Sequence, residues 1–206
     1  MRRIKTVAQR EVSGFFDHPT AYLLVVAFLG LGLFLTFRTI YAMGIATLRP
    51  FFDLLPWLFA IFIPAMTMRS LAEERRSGTL EWLLAHPLRE VEVVLGKFIG
   101  NWIFVLAALA GTIPTAFGLL KISEADGGIM MAQYIGAALL AAQGVAIGLW
   151  ASSLTRNQIT AFMLAASVSF TLVMIGTPVV LIGLPPSLGV GVSNLSVLGH
   201  FQNVAR

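Results

Sequence analysis

The sequence contains no cysteine, which excludes disulfide bonds, thiol redox chemistry and thiolate metal sites together. Charge is almost as scarce. Of 206 residues 12% are charged, against about 25% in an ordinary soluble domain, so the chain lacks the polar surface that would keep it dissolved. A Gly-x-x-x-x-Gly-Lys-[Ser/Thr] phosphate loop is missing too: around Gly96 and Lys97, Val91 stands where the first glycine belongs and Phe98 where the hydroxyl belongs. The chain carries no means of its own to hydrolyse ATP. His18, His86 and His200 are far apart and form no His-Glu-x-x-His helix, which removes the zinc-protease reading. Ser152, Ser153, Ser167 and Ser169 have no basic partner at membrane depth to activate a nucleophile; serines there pack or bond locally.

What is present is apolar: 57% of the residues, in uncharged runs of the roughly 20 residues needed to cross a hydrocarbon core as helix. Five spans are expected, at 20–37, 51–68, 98–120, 130–154 and 158–182. The second is shortened by Asp53 and Arg69, the third contains Pro114, and the last two form a tight hairpin around Arg156, Asn157 and Gln158. The third to fifth spans hold no Asp, Glu, Lys or Arg, so they offer no proton relay or sodium site. Gln133 and Gln143 are the principal polar residues of the fourth. Small residues at four-residue spacing, Ala107, Gly111 and Thr115 in the third span and Gly144, Gly148 and Ser152 in the fourth, are candidate helix-packing faces.

Ahead of the spans, residues 2–17 place Ile4, Val7, Ala8, Val12, Phe15 and Phe16 on one side of a helix and Arg2, Arg3, Lys5, Gln9, Arg10 and Glu11 on the other. This pattern predicts an amphipathic helix at the lipid interface, its basic side toward anionic headgroups; a helix packed on protein gives the same pattern. Acidic residues and the lack of a small-residue cleavage site argue against a signal peptide. With the N-terminus inside, ten Lys and Arg lie on the inner side and four on the outer, which favours a cytoplasmic N-terminus. The basic residues flank spans instead of forming one cationic face, so nucleic acid is not the expected partner. The segment 183–206 is then external or re-entrant.

The densest charge lies in the loop 69–97, which opens Arg69-Ser-Leu-Ala-Glu73-Glu74-Arg75-Arg76-Ser77-Gly78-Thr79 and continues Leu80-Glu81-Trp82-Leu83-Leu84-Ala85 before Pro87. Residues 79–85 can form a short helix with Leu80, Leu83 and Leu84 on one side. Such a loop suits the docking of a soluble partner; a solvated loop with incidental charge pairs is also consistent with it.

Residues 64–100, from Pro64-Ala-Met-Thr-Met-Arg69-Ser through the Glu-Glu-Arg-Arg-Ser-Gly-Thr-Leu-Glu run, then His86-Pro-Leu and Val94-Leu-Gly-Lys97, resemble permease subunits of type-2 ATP-binding cassette (ABC) exporters, in particular the gliding-motility-type branch. Phe15, Phe16 and Pro19 to Tyr22 resemble the family's approach to its first span, and Leu195, Ser196, Leu198, His200 and Phe201 the segment before its last. His18 departs from the small polar residue common in the family. A sixth span follows in the family, so the resemblance implies that the sequence stops short of one.

The resemblance implies an all-α polytopic transmembrane bundle with a cytoplasmic coupling helix, seated on a separate cytoplasmic ABC ATPase that binds the ATP. The permease itself would hold no cofactor or metal and would pair with a second copy or a related permease in the bacterial cytoplasmic membrane. Carried onto this chain, the ATPase-coupling positions are Arg69, Glu73, Glu74, Arg75, Arg76, Ser77, Gly78, Thr79 and Glu81. A non-transporting membrane scaffold recruiting a cytoplasmic partner through the same loop is the alternative; an intramembrane enzyme is a third reading, without a catalytic constellation to carry it.

Overall fold

The computed structural model describes residues 2–17, 19–44, 47–78, 90–122, 127–175 and 177. Among them the chain is helical throughout: α1 (Arg2–Asp17), α2 (Pro19–Met43), α3 (Arg49–Thr67), α4 (Ala72–Ser77), α5 (Glu90–Ala110), α6 (Ile113–Ile122), α7 (Gly127–Leu154) and α8 (Gln158–Ile175). Five stretches, Pro19–Met43, Arg49–Ser77, Glu90–Ile122, Gly127–Leu154 and Gln158–Ile175, are long and apolar enough to cross a membrane. The protein is therefore a polytopic helix bundle.

α3 is the central helix, in contact with α2, α7 and α8. Beyond Arg49 and Asp53 it is apolar on every side, as a helix surrounded by others must be, and Phe51, Phe52, Leu55 and Ile63 are fully buried. Phe28 of α2 stacks on Phe59 with ring centroids 5.8 Å apart, and Phe52 meets Tyr134 of α7 edge-on at 5.1 Å. Because lipid is as apolar as these rings, the gain comes from close packing and geometry rather than from escape from water.

The third span departs from its expected limits at both ends. It begins at Glu90 instead of Phe98, so the charged segment from Glu90 to Lys97, read from sequence as loop, is helix. Further along, the helix stops at Ala110 and restarts at Ile113. Pro114 explains the break: it has no N–H, and its ring collides with the carbonyl four residues back, that of Ala110. The Thr112 hydroxyl lies 2.7 Å from Leu109 O and 2.8 Å from the Tyr134 hydroxyl, so the break is stitched into the bundle. Gly111, at the break, lies under Leu29, whose Cδ1 would stand 2.8 Å from an added Cβ. The first span is longer than expected, reaching Met43 with Arg38 inside the helix.

α7 and α8 turn through Thr155–Asn157, where Asn157 Oδ1 accepts from Ile159 N at 3.0 Å and so caps α8. The last part of the fifth expected span and the segment 183–206 lie outside the described residues.

α1 packs along α5. Val7 Cβ would stand 2.6 Å from a Cβ added at Gly96, Glu11 Cβ 2.6 Å from one added at Gly100, and Phe15 stacks on Phe104 at 4.4 Å. These matched four-residue steps mean the two helices run side by side in the same direction. The apolar side that sequence assigns to the headgroup boundary lies against protein here, because Gly96 and Gly100 let the backbones approach. Glu11, expected on the polar side, turns instead toward α5.

Candidate functional site

The charged loop begins where α3 ends. Met68 N still bonds Pro64 O at 3.0 Å and Ser70 N bonds Thr67 O at 3.0 Å, after which the chain turns into the six-residue α4. Gly78 closes α4 in the left-handed region, at φ 73°, a conformation that a side chain resists.

Leu71, at the N-cap position of α4, supplies no side-chain cap. The cap comes from another helix. Ser152 of α7, with no exposed surface, accepts from Leu71 N at 3.0 Å and from Ala72 N at 2.9 Å, and its hydroxyl donates to Met68 O at 3.2 Å. A hydroxyl has one proton and two lone pairs, and all three are used on this one corner. One turn earlier on the same side of α7, the packing is closest of all. A Cβ added at Gly148 would overlap Thr67 Oγ1 and stand 2.8 Å from Thr67 Cβ, and one added at Gly144 would lie 2.9 Å from Ile63 Cδ1. Gly144, Gly148 and Ser152 thus form one stripe against the end of α3.

A second anchor is ionic. Lys97 of α5, only 2% exposed, donates to Glu74 Oε1 of α4 at 2.9 Å and is paired with Glu11 of α1. One ammonium therefore joins three helices. Asn101, one turn on and fully buried, donates to Ser70 Oγ at 3.3 Å and to Lys97 O at 2.8 Å.

The sequence-derived coupling positions divide accordingly. Arg69, Glu73, Arg75, Arg76 and Ser77 are exposed, whereas Glu74 turns inward to Lys97. Gly78 ends the helix, and Thr79 and Glu81 lie outside the described residues, as does the expected short helix 79–85. The arrangement is a short charged helix with an open outer face and a fixed inner one. Among the described residues no group of three His, Asp or Glu is placed to hold a metal.

Sequence reasoning assigned Lys97 to the tally of inner charges and Ser152 to a packing stripe; neither was assigned to the corner. Nothing local marks Lys97, whose partners Glu11 and Glu74 lie 86 and 23 residues away. Nothing in the sequence pairs Ser152 with Leu71, 81 residues away.

The family model described as ABC-2 family transporter protein matches residues 35–196, a range that contains the whole corner and leaves α1 outside. No curated protein matches the chain.

Proposed function

The chain belongs to the ABC-2 transporter family, and from that premise we propose that it is the membrane-spanning permease subunit of an ATP-driven exporter, paired with a second copy or a related permease. A separate cytoplasmic ABC ATPase binds and hydrolyses the ATP. The N-terminus and α4 face the cytoplasm of a bacterial cell, and the substrate crosses the cytoplasmic membrane. The run 64–100 supports placement in the gliding-motility-type branch.

One observation carries this reading: α4 shows Glu73, Arg75, Arg76 and Ser77 outward while its start is capped by Ser152 and its middle held by Lys97. A solvated loop with incidental charges needs neither attachment. A helix that is gripped on its outer face and fixed on its inner one passes displacement into the bundle, the mechanical requirement of a switching transporter. The exposed face carries both signs of charge, which suits docking on a protein better than on an anionic lipid surface.

Affinity purification of the intact protein from its own cells tests the proposal. An ATPase subunit is expected to co-purify, and Glu73→Ala with Arg76→Ala is expected to lower its recovery or its turnover while the permease remains folded. If no ATPase accompanies the folded protein, the scaffold reading takes its place.

A further inference from the structure

Ser152 does more than pack, since its hydroxyl bonds three backbone groups of the corner. We propose that Ser152 is the positioning residue that binds the α4 corner to the α7–α8 hairpin, so that displacement of α4 carries that hairpin with it. The proposal deepens the exporter reading by naming the route from the charged face into the membrane.

Three features lead to it. First, the chain of α3 ends at Thr67 and that of α4 begins at Ala72, so the turn between them leaves backbone groups outside either helix's own ladder. Ser152 satisfies Met68 O, Leu71 N and Ala72 N together. Leu71 and Ala72 are buried, where water does not substitute for a lost partner at low cost. Second, the hydroxyl is short, and it reaches the corner only because Gly148, one turn earlier, lets α7 close onto Thr67. Third, Ser152 lies two residues before the end of α7, and α8 starts at Gln158 after a capped turn; α4 touches both helices. A hydroxyl fixed to three backbone atoms of one element and carried on a rigid hairpin holds the two in one orientation. The Lys97 pairs hold α4 to α5 and α1 instead, so the Ser152 attachment to the hairpin is distinct from the ionic one.

The chain has no cysteine, so introduced cysteines are unique labelling sites. Spin labels at Ser77→Cys, a near-isosteric change, and Arg156→Cys, both exposed, report α4 against the α7–α8 turn in vesicle-reconstituted protein, and ATP hydrolysis is read on the unlabelled cysteine-free protein. The expected result is one narrow distance distribution, unchanged when the co-purified ATPase is loaded with a non-hydrolysable ATP analogue. Ser152→Ala is expected to broaden it, and to change kcat for ATP hydrolysis by the assembled complex roughly threefold or more with KM for ATP unchanged. Ser152→Thr, which keeps the hydroxyl, is expected to restore both readouts. Ser153→Ala is the control, since among the described residues that hydroxyl bonds the carbonyl of Trp150 in its own helix, at 2.7 Å, and it is expected to alter neither.

A Ser152→Ala protein with the wild-type distance distribution overturns the proposal, as does one whose distribution broadens while kcat stays unchanged. Absence of a co-purifying ATPase overturns the exporter reading instead. In that case the label pair in the permease alone still decides whether Ser152 holds the corner to the hairpin.

Discussion

Lys97 of α5 donates a hydrogen bond to Glu74 of α4 at 2.9 Å, across 23 residues of sequence, while pairing with Glu11 of α1. The ammonium is almost wholly withdrawn from solvent, whereas each carboxylate keeps some access. A buried charge stripped of its partners is costly, and so is a pair of carboxylates left facing each other.

Lys97→Met is therefore expected to destabilise the protein by about 3 kcal/mol, read as a fall in thermal midpoint in detergent. Combining it with Glu11→Gln and Glu74→Gln removes the orphaned charges and is expected to recover most of that loss. Equal destabilisation of the single and triple variants would mean that the lysine matters for its packed stem and not for its charge.

Gly148→Ala tests the contact between α7 and α3. The new methyl collides with Thr67, and overpacking of this kind costs about 1–3 kcal/mol. Thr67→Ala is expected to relieve part of it. Gly118→Ala is the contrasting case, because nothing lies within 4 Å of the added carbon; a helix-interior alanine there is expected to be neutral or to stabilise by up to about 1 kcal/mol.

Gly96→Ala and Gly100→Ala each push α1 away from α5, since the added carbons meet Val7 and Glu11 at 2.6 Å and backbone oxygens of Ile4 and Ala8 at 3.2 Å. Ala8, buried in this seam, reports the change when replaced by cysteine. Its maleimide labelling is expected to be slow in the parent and faster by roughly tenfold in either glycine variant, the equivalent of about 1.4 kcal/mol.

The five spans were legible because long uncharged runs leave few alternatives, and the hairpin because only the short polar turn at Arg156, Asn157 and Gln158 separates two such runs. The start of α5 was not legible. Glu90, Glu92 and Lys97 look like loop charges to any local pattern, and what makes Lys97 tolerable in a packed helix is carried by residues 86 and 23 positions away. α1 was recognised as a helix, but its partner depended on the Gly96 and Gly100 pair, which the expected boundary divided between the loop 69–97 and the span 98–120. Residues 72–77 read as charged loop, with the short helix expected at 79–85, so α4 itself was not legible. Its two anchors were not legible either, since a serine hydroxyl and three backbone atoms leave no mark in composition.

Placement of the charged corner in the cytoplasm is the point on which the exporter reading stands. Ser77→Cys, exposed at the end of α4, and Met43→Cys, exposed at the end of α2, can each be challenged in whole cells with a membrane-impermeant maleimide. The expected result is labelling of Met43→Cys in intact cells and of Ser77→Cys only after the membrane is opened. Labelling of Ser77→Cys in intact cells would contradict the placement and remove the ATPase from reach of α4.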